Sequence, residues 1–190
     1  MCGRYFIESD ALEYDGYLDW EDASGIVKTG DVGPGDSAVA IVTRESGIVP
    51  EVMRWGFDGQ SGRTIINARL ETLAEKPMFK GLERRQRCAV PASFYYEWRR
   101  ADGQKYAVEV RDVKRFFLAG LYRMGERGAE FVVVTQPPVG EVKRIHNRMP
   151  LILPDLNAAE AWMRGSDARF AMETAVRVRA EGNEQLSMSF

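Results

Sequence analysis

Short apolar segments of strand length, separated by turn residues, make up most of this chain. Runs rich in β-branched and aromatic side chains predict strands. Such runs occupy residues 38–43, 48–55, 93–98, 105–111, 116–122, 131–135 and 151–153. The first two are joined by Glu-Ser-Gly at residues 45–47, and the next two by Ala-Asp-Gly-Gln at residues 101–104. Both connections predict hairpins.

Helical signals are few. A helix capped near Ser9 is predicted over residues 11–20, and a helical stretch over residues 70–82 with a break near Pro77. Asp155 is expected to cap a helix that runs to about Met163. Because strands and helices do not alternate regularly, the pattern predicts a strand-rich α+β domain instead of a doubly wound sheet. We expect a single domain over residues 1–180 and a polar tail over residues 181–190.

Charge is distributed unevenly along the chain, although the formal net charge is only −2. Residues 1–53 contain 3 basic and 11 acidic side chains, whereas residues 54–115 contain 14 basic and 8 acidic ones. The middle of the chain can therefore supply a basic face for phosphate groups. Charge alone favours the simpler interpretation of a solvated surface.

Several classes of protein are disfavoured. The sequence does not begin with a signal peptide, and no apolar run is long enough to span a membrane. Two cysteines form no disulfide framework, which favours a reducing, cytoplasmic location. One histidine and two distant cysteines are not a zinc set. The glycines of residues 33–38 precede a β-branched run and not a helix, so no dinucleotide site is expected. We therefore expect neither a metal nor a cofactor.

The second residue of the chain, Cys2, carries distinctive chemistry. Removal of Met1 by an aminopeptidase would leave an α-amine and a thiol on the same residue. The amine titrates at roughly 7.7–8.0 and the thiol near about 8.5, so both are partly nucleophilic at neutral pH. With an aldehyde, the amine forms a Schiff base, and the thiol then closes on the imine carbon to give a five-membered thiazolidine. The alternative is that Cys2 is an ordinary small residue at the start of a strand.

Four motifs follow one another along the chain. It begins Met-Cys-Gly-Arg, and residues 66–72 read Ile-Asn-Ala-Arg-Leu-Glu-Thr. Residues 87–92 read Arg-Cys-Ala-Val-Pro-Ala, residues 94–98 read Phe-Tyr-Tyr-Glu-Trp, and residues 146–150 read His-Asn-Arg-Met-Pro. In order and spacing over residues 1–163, these motifs resemble the SOS-response-associated peptidase family, whose members are abasic-site processing proteins. The resemblance implies mixed and antiparallel sheets that form a barrel-like core with a few peripheral helices.

The resemblance also implies four catalytic residues. Cys2 would crosslink to the aldehyde of an abasic site in single-stranded DNA, and Asn67 would orient its amine. Glu97 would transfer protons during imine formation and ring closure, with a pKa raised by desolvation between aromatic neighbours. His146 would protonate the ring oxygen when the closed sugar opens. The plain alternatives are a turn or cap for Asn67, an exposed strand position for Glu97 and a structural histidine.

A DNA-binding surface follows from the same resemblance. Its predicted members are Arg4, Arg69, Trp98, Thr135 and Arg148. The three arginines would hold phosphates, and Trp98 would stack on an exposed base. Thr135 lies where the family has a threonine next to the active site. Trp55 is a weaker candidate for stacking, because tryptophan is more often part of a core.

The chain departs from the family at two places. Related proteins usually carry an Arg-Tyr-Asn-x-Ala-Pro stretch before their second strand, whereas residues 29–36 read Thr-Gly-Asp-Val-Gly-Pro-Gly-Asp. They also tend to have Pro and Trp after a Trp-Gly pair, where this chain has a short loop at residues 58–63. DNA contacts from both segments are therefore expected to differ. The family name further implies self-peptidase activity, limited here to removal of Met1, for which a cellular aminopeptidase would suffice. Lyase activity is a separate expectation for the crosslinking enzyme.

Two rival functions remain open at this point. An N-terminal-nucleophile amidohydrolase would use Cys2 to attack an amide, but its Asn-Gly-Asp segment is missing from this sequence. A non-catalytic single-strand-binding module would use the basic face of residues 54–115. We also expect a monomer, and the ending Gln185-Leu-Ser-Met-Ser-Phe190 resembles a short sliding-clamp-binding motif. A tail packed on the domain is the alternative for that ending.

Overall fold

The structure, a computed structural model, describes residues 2–9, 28–59, 62–166 and 175–181. The strands of this part are β1 Tyr5–Ile7, β2 Gly30–Val32, β3 Ser37–Arg44, β4 Gly47–Trp55, β5 Phe57–Asp58, β6 Thr64–Ile65, β7 Asn67–Arg69, β8 Arg87–Ala92, β9 Phe94–Trp98, β10 Lys105–Val110, β11 Phe116–Gly125, β12 Gly128–Gln136, β13 Met149–Pro150, β14 Ile152–Leu153 and β15 Val176–Ala180. Its helices are α1 Pro77–Lys80, α2 Leu82–Arg85 and α3 Leu156–Met163, with 3₁₀ turns at Leu70–Thr72 and Gly140–Arg144. The helix predicted over residues 11–20 and the clamp-like ending lie outside the described residues.

Five strands close on themselves into a small barrel. β3 pairs with β4 and β8, β8 pairs with β11, and β11 pairs with β12, all antiparallel. The parallel pairing of β12 with β4 completes the ring. β7, β13 and β14 extend this sheet at its edges. The predicted strand-rich α+β fold with a barrel-like core is therefore confirmed.

A second, antiparallel sheet has the strand order β15-β10-β9-β1-β2. Within it, Tyr5 lies opposite Tyr95, and Tyr106 lies opposite Glu97. Alternate residues of these strands, including Tyr5, Tyr95 and Val108, are buried in one hydrophobic cluster with residues of the barrel strands. Because side chains alternate along a strand, this register fixes which residues of β9 face the barrel.

The opposite faces of the barrel strands pack against the short helices. Ala89, Phe117 and Val132 share a second hydrophobic cluster with Phe79 of α1 and Trp162 of α3. The Asp155 side chain accepts a hydrogen bond from the Ala158 N–H, which confirms the predicted cap of α3.

The predicted strands and hairpins agree closely with the structure. The break predicted near Pro77 is confirmed, but the helical parts of residues 70–82 are shorter than predicted. That stretch consists of one 3₁₀ turn at Leu70–Thr72 and the short helix α1, which begins at Pro77. Proline lacks the N–H needed inside a helix but fits its first turn, so Pro77 starts a new helix instead of continuing one.

Candidate active site

Cys2 is buried between the two sheets. Its side chain is fully inaccessible and packs in the cluster that contains Tyr5 and Tyr95. Asn67 Nδ2 donates a hydrogen bond to the Cys2 carbonyl oxygen at 2.9 Å, across 65 positions of sequence. Asn67 Oδ1 is buried and accepts no hydrogen bond from the described residues. A buried acceptor without a donor is costly in a folded protein and often marks a functional position.

Glu97 lies on the face of β9 that points at the barrel and is only 2% exposed. Burial raises the pKa of Glu97 from 4.5 to about 7, while the positive charge of the amino terminus lowers it. The pKa of the Cys2 thiol is raised by burial first and by the charge of Glu97 second. The expectation of a raised pKa through desolvation is confirmed, and the alternative of an exposed strand glutamate is wrong. Glu97 and Cys2 thus form one electrostatically connected site.

His146 follows the 3₁₀ turn at Gly140–Arg144 and is half-buried. Its Nδ1 atom lies 3.1 Å from the backbone nitrogen of Arg148. Nδ1 also lies 3.2 Å from the Arg148 carbonyl oxygen, so its role depends on the tautomer of the ring. In the tautomer in which Nδ1 accepts from the Arg148 N–H, the neutral ring carries its proton on Nε2. The pKa of His146 is lowered, chiefly by burial. The lowered pKa favours the neutral ring, which offers an N–H donor at Nε2 in the tautomer whose Nδ1 accepts from Arg148.

Thr135 and Arg148 form a buried hydrogen-bonded unit beside β7. Arg148 donates to the Thr135 carbonyl oxygen at 2.7 Å and pairs with the carboxylate of Glu71. Thr135 is fully buried, and its hydroxyl donates to the Ala68 carbonyl at 3.3 Å. Thr135 thus has no surface for DNA, and the predicted contact is corrected to a role in holding Arg148. Arg69, at the end of β7, is exposed.

Arg4 lies beside the segment that departs from the family pattern. A Cβ atom at Gly33 would be 3.9 Å from a guanidinium nitrogen of Arg4. The turn that carries Gly33 is closed by Asp36, whose carboxylate accepts from the Gly33 N–H at 2.8 Å and binds Lys28. The altered sequence of residues 29–36 therefore forms a defined turn against Arg4.

The two tryptophan candidates lie in different environments. Trp98 is 41% exposed and lies on the face of β9 opposite Glu97, with its ring 6.2 Å from that of Tyr96. The Lys105 ammonium is 5.9 Å from the Trp98 ring centroid. Trp55 is fully buried, and its indole N–H donates to the Ile66 carbonyl at 3.0 Å. The weaker prediction that Trp55 stacks on DNA is wrong, because the residue is part of the core.

The structure brings Cys2, Asn67 and Glu97 together and leaves Trp98 on the other face of the sheet. Glu71, the carboxylate partner of Arg148, received no role in the sequence analysis. Its signal was its place in the Asn-Ala-Arg-Leu-Glu motif. Among the described residues, no group of His, Cys, Asp and Glu side chains is arranged to hold a metal ion. No helix in the same part of the chain has the length and apolar character needed to cross a membrane.

Fold and site together define a strand-barrel protein with a buried cysteine at position 2, whose carbonyl accepts from an amide side chain and which lies near a carboxyl group of raised pKa. The chain belongs to the SOS response associated peptidase (SRAP) family, whose model matches residues 1–188. It is 31% identical over 183 residues to the abasic site processing protein YobE of Bacillus subtilis, covering 86% of this chain and 82% of the relative. It is 26% identical to the abasic site processing protein YedK of Escherichia coli, covering 86% and 80%.

Solved structures share the fold. A protein from Bacteroides thetaiotaomicron superimposes with a TM-score of 0.77 at 23% identity, covering 99% of this chain and 95% of that one. A protein from Bordetella bronchiseptica superimposes with a TM-score of 0.75 at 19% identity, covering 95% and 100%.

Proposed function

We propose that this protein captures abasic sites in single-stranded DNA, during the response to DNA damage, through a covalent bond to Cys2. The observation that carries the proposal is the contact of Asn67 with Cys2 beside the buried Glu97. Relatives named abasic site processing proteins support DNA as the partner. Removal of Met1 is required, because only then does Cys2 carry a free primary amine.

The chemistry proceeds by two bond-forming steps and the loss of water. The Cys2 amine adds to the C1′ aldehyde of the open sugar, and the resulting carbinolamine loses its hydroxyl group as water to give an imine. The thiol then adds to the imine carbon, and its proton passes to the ring nitrogen, which completes the thiazolidine. Glu97 is suited to relay these protons, because a pKa of about 7 lets both of its forms exist near neutral pH.

Two polar side chains assist this sequence. The vacant Asn67 Oδ1 can accept a hydrogen bond from the amine and direct its lone pair at the aldehyde. In the tautomer whose Nδ1 accepts from the Arg148 N–H, the His146 Nε2–H can donate to the sugar ring oxygen while the closed hemiacetal opens, so the aldehyde becomes available.

The DNA strand would be held by cationic and aromatic side chains around this site. Arg69 and Arg148 would bind phosphates on the β7 side, and Arg4 and Trp98 on the outer side of the second sheet. Arg148 is only 12% exposed and already pairs with Glu71, so a phosphate would compete with that carboxylate.

Intact mass spectrometry tests the proposal directly. Met1-processed protein is incubated with an abasic single strand and, as a control, with the intact strand. We expect a heat-stable adduct whose mass is the sum of protein and DNA less one water, formed only with the abasic strand. Cys2→Ala should give no heat-stable adduct, whereas Cys88→Ala, which alters the second buried cysteine, should react like the parent. Normal crosslinking by Cys2→Ala would refute the assignment of the nucleophile.

Further assays separate related activities. Release of ammonia from glutamine would point to the amidohydrolase, and salt-sensitive binding without any adduct would point to a simple binding module. Strand cleavage on a denaturing gel reports lyase activity. The mass of protein made without a cellular aminopeptidase reports whether self-peptidase activity removes Met1.

A further inference from the structure

An open cavity of about 470 Å³ lies alongside the candidate active site. It is bounded by the ends of β9 and β10, by β15 and by the 3₁₀ turn at Gly140–Arg144. Tyr106 in one wall is the cross-strand neighbour of Glu97, and Ile145 in another directly precedes His146. The cavity therefore adjoins both proposed proton-transfer residues without containing either of them.

One wall of the cavity is flat and suited to stacking. The guanidinium group of Arg99 lies over the Tyr106 ring, 5.3 Å from its centroid. Arg99 Nε also donates to Asp102 Oδ1 at 3.0 Å, which fixes the plane of the guanidinium. Nucleobases stack on both aromatic rings and guanidinium planes. The Arg99–Tyr106 pair thus offers a preformed surface for a base.

The rim of the cavity carries an excess of positive charge. Arg144 is exposed, and no carboxylate of the described residues pairs with it. Glu141, the acidic residue of the lining, is already engaged by Arg111 at 3.5 Å and by the Val178 N–H at 3.3 Å. Arg144 is therefore the group available to an incoming anion such as a phosphate.

We propose that this cavity binds one nucleotide next to the abasic residue, with its base on the Arg99–Tyr106 wall and its phosphate at Arg144. The volume falls within the roughly 300–1,000 Å³ of typical ligand pockets. The assignment of a strand nucleotide rests on the proposed function, since a free nucleotide carries the same chemical groups. A filled cavity would anchor the strand so that the abasic sugar is presented to Glu97 and His146.

Arg144→Gln tests the proposal, with Lys143→Gln as the matched control. Lys143 is an exposed cation on the same 3₁₀ turn but does not line the cavity. Affinity is measured by fluorescence anisotropy for a single strand containing a tetrahydrofuran analogue, which lacks an aldehyde and cannot crosslink. Arg144→Gln should weaken binding roughly threefold to tenfold and lower the salt slope by about 0.7, the value for one phosphate contact. Lys143→Gln should bind like the parent.

Shortened strands locate the bound nucleotide. Two strands are compared that end at the analogue on its 5′ or its 3′ side. The penalty of Arg144→Gln should vanish with one of them and persist with the other. Tyr106→Leu should lose affinity for the same strands as Arg144→Gln, because it removes the stacking wall.

Several results would overturn the proposal. Equal binding by Arg144→Gln and Lys143→Gln on every strand would do so. The cavity would be assigned to a free nucleotide if Arg144→Gln weakened the binding of free deoxyadenosine monophosphate but left the affinity for every strand unchanged. Because the analogue cannot react, these binding measurements do not depend on crosslinking. Failure of the parent protein to crosslink a true abasic strand would refute only the proposed function.

Discussion

Replacing Glu97 by glutamine separates the catalytic value of this residue from its effect on stability. Glutamine has nearly the same shape but cannot ionise, so the substitution removes a buried charge without opening a cavity. If Glu97 relays protons, the variant should crosslink more slowly, by roughly the 10²–10⁴-fold that general acid–base groups contribute. The ratio of parent to variant rate should rise with pH through about 7, where Glu97 is half ionised, and level off about one pH unit higher.

The same substitution should stabilise the fold at alkaline pH. Burial raises the pKa of Glu97 from 4.5 to about 7, which corresponds to about 3 kcal/mol. A raised folded-state pKa means that this stability is fully present below pH 4.5 and is lost as pH rises to about 7. Above that pH, Glu97→Gln should be more stable than the parent by at most about 3 kcal/mol, because the neutral amide never ionises.

Urea denaturation at pH 5 and pH 8 measures the free energy of unfolding, and single-turnover gel assays measure the crosslinking rate. The exposed Glu75→Gln serves as the control and should change neither quantity. A variant that crosslinks at the parental rate would refute the catalytic role. A stability difference that is the same at both pH values would refute the buried-charge argument.

Four other predictions concern the site and its surroundings. Cys2→Ser keeps the amine but lacks the thiol, so it should yield an imine that borohydride traps and no heat-stable adduct. His146→Ala should slow crosslinking by about 10² or more, with the affinity for a non-reactive abasic analogue unchanged in anisotropy. Trp98→Ala should weaken single-strand binding by about 1–3 kcal/mol, and titration at two salt concentrations should show an unchanged salt slope. Truncation after Glu184 should abolish binding of a purified sliding clamp in surface plasmon resonance, and equal binding by both chains would discard that idea.

Much of the fold could be predicted from the period-two pattern, because strands buried on one face must alternate. Closure of the barrel was implied by the family resemblance but could not be predicted from that pattern, since it depends on the parallel pairing of β12 with β4. That pairing joins segments about 76 positions apart, Arg54 with Glu130, and local propensity carries no information about it. Within residues 70–82 the break at Pro77 could be predicted, because proline starts a helix more readily than it continues one, but the single 3₁₀ turn before it could not.

The site was predicted from motifs, and its geometry follows from tertiary contacts. The hydrogen bond between Asn67 and Cys2 joins residues 65 positions apart, so no local sequence pattern could predict it. Thr135 and Trp55 were given surface roles because residue type alone does not report burial. Strand alternation, in contrast, already separates Glu97 from Trp98, since adjacent residues of a strand point to opposite faces. The side chains predicted for proton transfer and for stacking, Glu97 and Trp98, therefore lie on opposite sides of β9.

The burial of Cys2 imposes an order on the proposed reaction. Burial raises the pKa of its thiol, so the sulfur stays protonated and is a poor nucleophile while the site is intact. In the proposed reaction the amine, once freed from Met1, therefore attacks the aldehyde first. The imine forms while the neighbouring thiol is still protonated. Closure of the ring then needs a base for the S–H proton. In the proposed reaction Glu97, whose charge raises the pKa of this thiol, would take that proton and return it to the ring nitrogen. A site that kept a free thiolate would crosslink through sulfur first and would also be open to oxidation, and burial avoids both.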